Sequence, residues 1–290
     1  MPQLPEPYDP GPPQKMPDLV ELARRPTPAD ALKREDIHAE LLARAGSGDK
    51  DKAPPELVAV LPHGDKQLFP VVISSDGKCL ASIGAEATAK LRDLASGKLL
   101  HTFAGDQGAG YSLAFSPDGK RLATLGRPQN RVKLWDVDTH AEVRTLTGHR
   151  DNLSQVVFSP DGNQLASSDA GGVVMLWETA TGKHLRTFPS AGPHADGLAF
   201  SLDWKILAVA SNDGRIRLWD PASGWLLGTL TGRQKQVRCL AFHPDGRTLT
   251  SSSEDGTIRL WDCRTCANSA CCPAPGPLVY RWPGARMAVC

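Results

Sequence analysis

His149, Ser167 and Asp255 are the residue types from which a hydrolase assembles a base, a nucleophile and an orienting acid. Cys263 and Cys266, followed by Cys271 and Cys272, are thiols that could ligate zinc. Each set meets an objection. Ser167 lies in no Gly-x-Ser-x-Gly elbow, and the chain has neither a phosphate-binding Gly-Lys-Ser/Thr loop nor the kinase signatures. The cysteine spacing is tight and no second knuckle follows, so incidental cysteines in an irregular tail are the plainer reading. No catalytic, cofactor-binding or metal-binding residue is expected.

The elements that would position these residues repeat. Trp135, Trp177, Trp219 and Trp261 stand 42 residues apart, each closing a phrase such as Val132-Lys133-Leu134-Trp135 or Ile258-Arg259-Leu260-Trp261. An earlier phrase precedes each one: Phe115-Ser116-Pro117-Asp118-Gly119, Phe158-Ser159-Pro160-Asp161-Gly162, Phe200-Ser201-Leu202-Asp203 and Phe242-His243-Pro244-Asp245-Gly246. A degenerate first copy runs from Ile73-Ser74-Ser75-Asp76-Gly77 to Lys90-Leu91-Arg92-Asp93, with Arg92 in the Trp position. Within the third copy, short apolar-rich runs end at Pro160-Asp161-Gly162, at Ala170-Gly171-Gly172 and at Thr181-Gly182. Runs of this length between turn residues are strands joined by hairpins. A single four-stranded unit cannot bury both faces, so the copies must stack.

Four strands at this period with a closing Trp-Asp form the pattern of a propeller blade. The chain therefore resembles the WD-repeat β-propeller family, through Leu134-Trp135-Asp136, Leu218-Trp219-Asp220, Leu260-Trp261-Asp262 and Gly148-His149. The resemblance covers roughly 57–265 and implies an all-β propeller of five recognisable blades, incomplete or open. It also implies structural pins: a His, a Ser or Thr on the second strand, an Asp in the next turn, and the Trp. Copy five holds Ser251, Asp255 and Trp261, with Arg233 in the His position. Copy three holds His149, Ser167 and Trp177, with Gly171 in the Asp position. Copy four holds Asp213 and Trp219, with Val209 and Ala191 in the others. Copy two holds Thr124 and Trp135, and copy one holds Ser82. No copy is expected to carry the full set. His149, Ser167 and Asp255 fall on these pinning positions, which favours a structural role over catalysis.

The remaining sequence divides simply. Residues 1–26 form a Pro-rich flexible leader; Thr27-Pro28-Ala29-Asp30 opens an amphipathic helical segment over 27–46; and 47–56 is a polar linker. A strand at 56–61 precedes the first blade, where the family keeps an outer strand. The tail 266–290 is rich in Cys and Pro and lacks the repeat phrases, as a frame-shifted or truncated product would. Lys+Arg number 33 against 32 Asp+Glu, a formal charge of +1, which is no footprint for nucleic acid. There is no apolar run long enough for a membrane span and no secretory leader, so reduced thiols in a cytoplasm are expected.

Two tryptophans lie outside the repeating Trp-Asp position within the blades. Trp204 replaces the turn Gly between the first two strands of copy four, and Trp225 follows Gly224 between its last two. Both turns fall on one face of the blade, roughly 10 Å apart, and form a candidate partner-contact pair. The resemblance implies a non-catalytic scaffold that binds proteins or peptides. A sensor or enzyme using the central channel would need ionisable groups on the inner strands, which read Ser112-Leu113-Ala114-Phe115, Gln155-Val156-Val157-Phe158, Gly197-Leu198-Ala199-Phe200 and Arg238-Cys239-Leu240-Ala241-Phe242 and offer almost none. A truncated product without its own function is the third reading. For closure, residues 57–61 or 277–282 could supply the missing strand of the fifth copy, and an open five-blade arc is favoured. Oligomeric state is not legible.

Overall fold

The computed structural model describes residues 68–263, apart from 85–87, 104–111, 127–128, 189–191, 193 and 234, together with Ala39. The leader, the linker, the strand at 56–61 and the tail at 266–290 lie outside the described residues. Of the segment 27–46, only Ala39, a helical residue, is described.

Among the described residues the chain forms five antiparallel sheets in sequence order. Blade 1 comprises β1 (Leu68–Ile73), β2 (Cys79–Gly84), β3 (Ala89–Asp93) and β4 (Leu99–Phe103). Blade 2 comprises β5 (Leu113–Phe115), β6 (Arg121–Gly126), β7 (Arg131–Asp136) and β8 (Glu142–Leu146). Blade 3 comprises β9 (Leu153–Phe158), β10 (Gln164–Asp169), β11 (Val174–Glu178) and β12 (His184–Phe188). Blade 4 comprises β13 (Ala195–Phe200), β14 (Leu207–Ser211), β15 (Ile216–Trp219) and β16 (Leu226–Leu230). Blade 5 has three strands, β17 (Val237–Phe242), β18 (Thr248–Ser253) and β19 (Ile258–Asp262). Each blade is an up-and-down meander, as the turn residues dictated.

The recurring Ser-Pro-Asp-Gly phrase builds the first hairpin. Gly119 N–H donates to Ser116 O at 2.9 Å, and Ser116 Oγ accepts from Arg121 N–H at 2.9 Å while donating to Asp118 Oδ1 at 2.5 Å. Ser159 with Asp161 and Ser74 with Asp76 repeat the arrangement. The turn glycines Gly77, Gly119, Gly162 and Gly246 sit at φ between 67° and 73°, the left-handed region in which a Cβ is strained. The acid after the Trp position has a local task. Asp136 Oδ1 accepts from Thr139 N–H at 2.8 Å, and Asp93 Oδ1 accepts from Ser96 N–H at 2.7 Å, which tightens the hairpin to the outer strand.

Stacking buries two distinct faces. The indole face of a blade carries the first Leu of the second strand and the Trp of the third. The aliphatic face carries the small residues of the second strand and the Val or Ile and Leu of the third. Each of four apolar clusters joins the aliphatic face of one blade to the indole face of the next. Ala166, Val174, Leu176 and Phe188 of blade 3, for example, meet Leu198, Leu207 and Trp219 of blade 4. The outer-strand aromatic of one blade meets the next indole: Phe103 lies 5.0 Å from Trp135 and Phe188 lies 5.6 Å from Trp219, centroid to centroid. Being covered on both sides, β10 and β14 are buried nearly throughout.

The inner strands carry these contacts around the arc, β5 against β1, β9 against β5, β13 against β9 and β17 against β13. No comparable contact joins blade 5 to blade 1 among the described residues. Among the described residues, Ile258 and Leu260 on the aliphatic face of blade 5 are exposed.

Candidate functional site

Blade 3 carries a complete polar relay, which corrects the expectation that no copy would. Trp177 Nε1–H donates to Ser167 Oγ at 2.8 Å, Ser167 Oγ lies 2.7 Å from His149 Nε2, and His149 Nδ1 lies 2.7 Å from Asp169 Oδ2. One tautomer satisfies every link: indole to hydroxyl, hydroxyl to Nε2, and Nδ1–H to carboxylate. The acid stands two places ahead of Gly171. A register shift between Ser168 and Asp169 at the end of β10 turns the Asp169 side chain toward His149. Asp169 Oδ1 also accepts from Val173 N–H at 2.9 Å, so the same carboxylate closes the turn into β11. Gly148 leaves room for this packing: at φ 152°, a Cβ there would meet the Trp177 ring at 3.4 Å.

Ser167, His149 and Asp169 thus have the connectivity of a hydrolytic triad. Their burial argues against that chemistry. Ser167 is fully buried, His149 and Asp169 nearly so, and the serine lone pair that would attack a substrate accepts from Trp177. Asp255 takes no part, since it lies in blade 5.

In blade 5 an arginine does the work of the histidine. Arg233 Nη2 donates to Ser251 Oγ at 2.8 Å and to Ser251 O at 2.6 Å, while Nη1 reaches Asp255 Oδ1 at 3.1 Å and Thr257 O at 3.0 Å. Trp261 Nε1–H completes the set on Ser251 Oγ at 2.7 Å. Burial pulls the Arg233 guanidinium below its ordinary range and the Asp255 charge opposes it. Burial pushes the Asp255 carboxyl up, but Thr257 and Arg233 outweigh it and hold it below the usual carboxylate range.

The other blades keep fragments. Trp135 Nε1–H donates to Thr124 Oγ1 at 2.9 Å in blade 2. In blade 1, Ser82 is buried, and Arg92 in the Trp position donates to Gly97 O at 3.1 Å. In blade 4, Val209 offers no acceptor, and Trp219 Nε1 is buried without a hydrogen-bond partner. Asp213 instead pairs with Arg217 at 2.8 Å.

Thr124, Trp135, His149, Ser167, Trp177, Ser251, Asp255 and Trp261 share these hydrogen bonds, while Ser82, Asp213 and Trp219 join none of them. Trp204 occupies the turn position that is glycine in the other blades, at φ 51°, and is 41% exposed. Trp225, immediately ahead of β16, is half-buried. Leu202, in the position of Pro117 and Pro160, and Leu226 are exposed beside them in sequence. No ring contact joins Trp204 to Trp225 among the described residues. Cys263 is buried, and Cys266, Cys271 and Cys272 lie outside the described residues. Among the described residues no group of three His, Cys, Asp or Glu is placed to hold a metal ion, and no helix is long and apolar enough to cross a membrane.

The family described as "WD domain, G-beta repeat" matches residues 97–136, 141–178, 182–220 and 224–262. The chain belongs to the WD-repeat family. Each match begins at the outer strand of one blade and ends at the Trp-Asp position of the next, so the family unit straddles the blade boundary. An uncharacterized WD repeat-containing protein of Synechocystis is 33% identical over 101 residues, 35% of this chain and 29% of the relative. A WD repeat-containing protein WDS homolog of Arabidopsis thaliana is 31% identical over 134 residues, 43% of this chain and 25% of the relative. The target of rapamycin complex subunit wat1 of Schizosaccharomyces pombe is 33% identical over 97 residues, 33% of this chain and 30% of the relative. This WD-repeat chain therefore matches less than a third of the length of each of these relatives.

Proposed function

We propose that this WD-repeat chain is a non-catalytic scaffold that captures a protein or peptide on the turns of blade 4, through Trp204 with Leu202 and Trp225. The observation that carries the reading is the backbone of Trp204. A non-glycine residue in the left-handed region costs about 1–2 kcal/mol, and a bulky one there is a true outlier. Trp204 is 41% exposed, so packing covers only part of it. A costly, exposed tryptophan at a position that the other blades fill with glycine is what a contact residue looks like. Leu202 adds exposed apolar surface to the same turn.

The relative named as a target of rapamycin complex subunit supports a role in assembly for the family. β9 and β13 are mainly apolar, and the ionisable groups on the inner strands, Asp196 of β13 and Arg238 of β17, are taken up in ion pairs with each other and with Glu254. Nucleic acid and membrane are not among the partners we propose, given the balanced charge of the chain. The test is a quantitative pull-down with mass spectrometry, comparing wild type with Trp204→Ala/Trp225→Ala. Loss of a defined set of partners, with unfolding unchanged, supports the site. Retention of every partner by a folded double variant removes it.

A further inference from the structure

We propose that a cavity between the turns of blades 2 and 3 receives a basic side chain, lysine or arginine, of the peptide held on blade 4. The inference rests on the reading of Trp204 given above and adds a second anchor to it. The cavity measures about 200 Å³. Ser116, Asp118 and Arg121 line it from the first hairpin of blade 2, Asp161 and Asn163 from that of blade 3, and Thr179 from the turn between β11 and β12. Three of these residues depart from the other blades. Thr179 N–H donates to Asn163 O, just as Leu94, Val137 and Cys263 donate to Lys78 O, Lys120 O and Arg247 O. Those three carry no hydroxyl. Thr179 does; it is 4% exposed, and its Oγ1 has no hydrogen-bond partner. A buried polar atom left in that state costs stability until a ligand or water reaches it. Asn163 stands where the other first hairpins carry Lys78, Lys120, Lys205 and Arg247, so this turn alone has no cation beside its Asp. Arg121 stands where the others carry Cys79, Gln164, Ile206 and Thr248. It crosses the blade boundary, donates to Thr179 O at 2.9 Å and so braces the cavity wall.

The lining selects a cation. Asp118 and Asp161 set two carboxylates against the one guanidinium of Arg121. The Ser116 hydroxyl holds the Asp118 carboxyl below its ordinary value; burial pushes Asp161 up, but bonds from Ser159 and Asn163 outweigh it. Both acids are therefore charged at neutral pH. Asp118 Oδ1 takes the bonds of its own turn, from the Ser116 hydroxyl at 2.5 Å and Lys120 N–H at 3.0 Å, so Oδ2 has none there. An anion drawn to Arg121 would meet both carboxylates. An ammonium or guanidinium brings several donors and no acceptor, which suits Asp118 Oδ2 and Thr179 Oγ1 together. Its bonds to the carboxylates are charge-assisted, the stronger kind.

The repeat sets this cavity beside Trp204. A Cβ on Gly162 would lie 3.4 Å from Pro117 Cδ, and one on Gly119 would lie 3.7 Å from Ser75 Oγ. The first-hairpin glycine of a blade thus faces the first hairpin of the blade before it. Trp204 holds that glycine position in blade 4, in the same left-handed region, so its side chain sets out toward the Pro160-Asp161 turn. Asp161 stands between the indole and the cavity. A peptide crossing this face meets an apolar contact on blade 4 and, one blade over, a polar cavity of net negative charge.

Backbone-amide NMR of the whole chain tests the cavity with small probes: N-acetylarginine methylamide, its lysine analogue, and N-acetylcitrulline methylamide, which keeps the shape of arginine without the charge. A basic probe should shift the Gly162 and Asn163 amides saturably, and more weakly as salt rises; the citrulline probe should not. Two variants follow. Thr179→Val removes the unpartnered hydroxyl and gives the residue that blade 2 has at Val137; Asp118→Asn keeps an Oδ1 acceptor for its turn. Each should weaken the basic probe by roughly tenfold. No saturable shift, an equal response to citrulline, or undiminished binding by both folded variants overturns the proposal, whatever Trp204→Ala/Trp225→Ala does in the pull-down. Partner capture then joins the two anchors, and should fall in Thr179→Val as it does without the tryptophans. Capture unchanged in a folded Thr179→Val chain that has lost the probe overturns the link to the captured peptide. Capture lost in Thr179→Val but kept by Trp204→Ala/Trp225→Ala supports the cavity and removes blade 4.

Discussion

Arg233 donates to both the hydroxyl and the carbonyl of Ser251, at 2.8 and 2.6 Å, and so grips the residue on which Trp261 also rests. In blade 3 the corresponding serine is held by the His149 imidazole. The two blades reach the same end with different bases. Arg233→Ala should destabilise the chain by about 3 kcal/mol, because it removes one of the two arginines beside Asp255 and leaves the Ser251 carbonyl without its guanidinium donor. Arg233→His should cost less, since an imidazole serves this position in blade 3. Chemical denaturation midpoints of the two variants check the order.

Trp177 and Trp219 stand at the same position of neighbouring blades but differ in their indole nitrogens. Trp177→Ala should cost about 3–5 kcal/mol, as for other buried aromatics. The conservative change separates the two sites. Trp177→Phe removes the donor to Ser167 and should cost about 1–2 kcal/mol beyond its change in packing. Trp219→Phe removes a buried N–H that has no partner, so its polar contribution should be near zero or favourable. Equal losses in thermal unfolding for the two Phe variants would contradict the relay.

Much of this was legible in the chain. The even spacing of the four tryptophans gave the blades, and the Asp-Gly turns gave their hairpins. Ser167, Ser251, Thr124 and the tryptophans they hold were found where the repeat put them. The acid of blade 3 was missed because the reading counted positions. A register shift at the end of β10 lets Asp169 serve in place of Gly171, and counting does not register such a shift. A Ser followed two places later by an Asp, ahead of Gly-Gly, is the signal that could have found it. Arg233 was read as a lost histidine. Its guanidinium is long enough to reach Ser251 and Asp255 together, but nothing in one sequence showed that it folds inward. The exposure of Trp204, by contrast, follows from a bulky residue written into a glycine position.

The first-hairpin carboxylates make acid stability depend on serine. The Ser116 hydroxyl, more than burial opposes it, holds the Asp118 carboxyl below its ordinary value; the Ser74 hydroxyl does the same for Asp76. A carboxyl whose folded pKa lies below its unfolded one binds a proton sooner in the unfolded chain. The stability it contributes is present above the unfolded value of about 3.9 and is lost as pH falls through the folded value. Ser74→Ala/Ser116→Ala should raise the folded values toward the unfolded ones. The fall in Tm between about pH 6 and about pH 3 should then be smaller in the double variant than in wild type. An unchanged pH dependence would contradict the assignment.

Trp204→Gly tests the central claim most directly, because fold and function make opposite demands on that one position. Glycine is the residue the other blades use in this turn, at the φ that Trp204 is forced to share. The variant should be as stable as wild type or more so, by up to about 1–2 kcal/mol of relieved backbone strain, while its partner capture falls. The decisive measurement is the denaturation midpoint and the capture yield of the same preparation. A higher or equal midpoint with lost capture is the predicted result; a lower midpoint with capture retained would show the ring to be part of the fold and contradict the account.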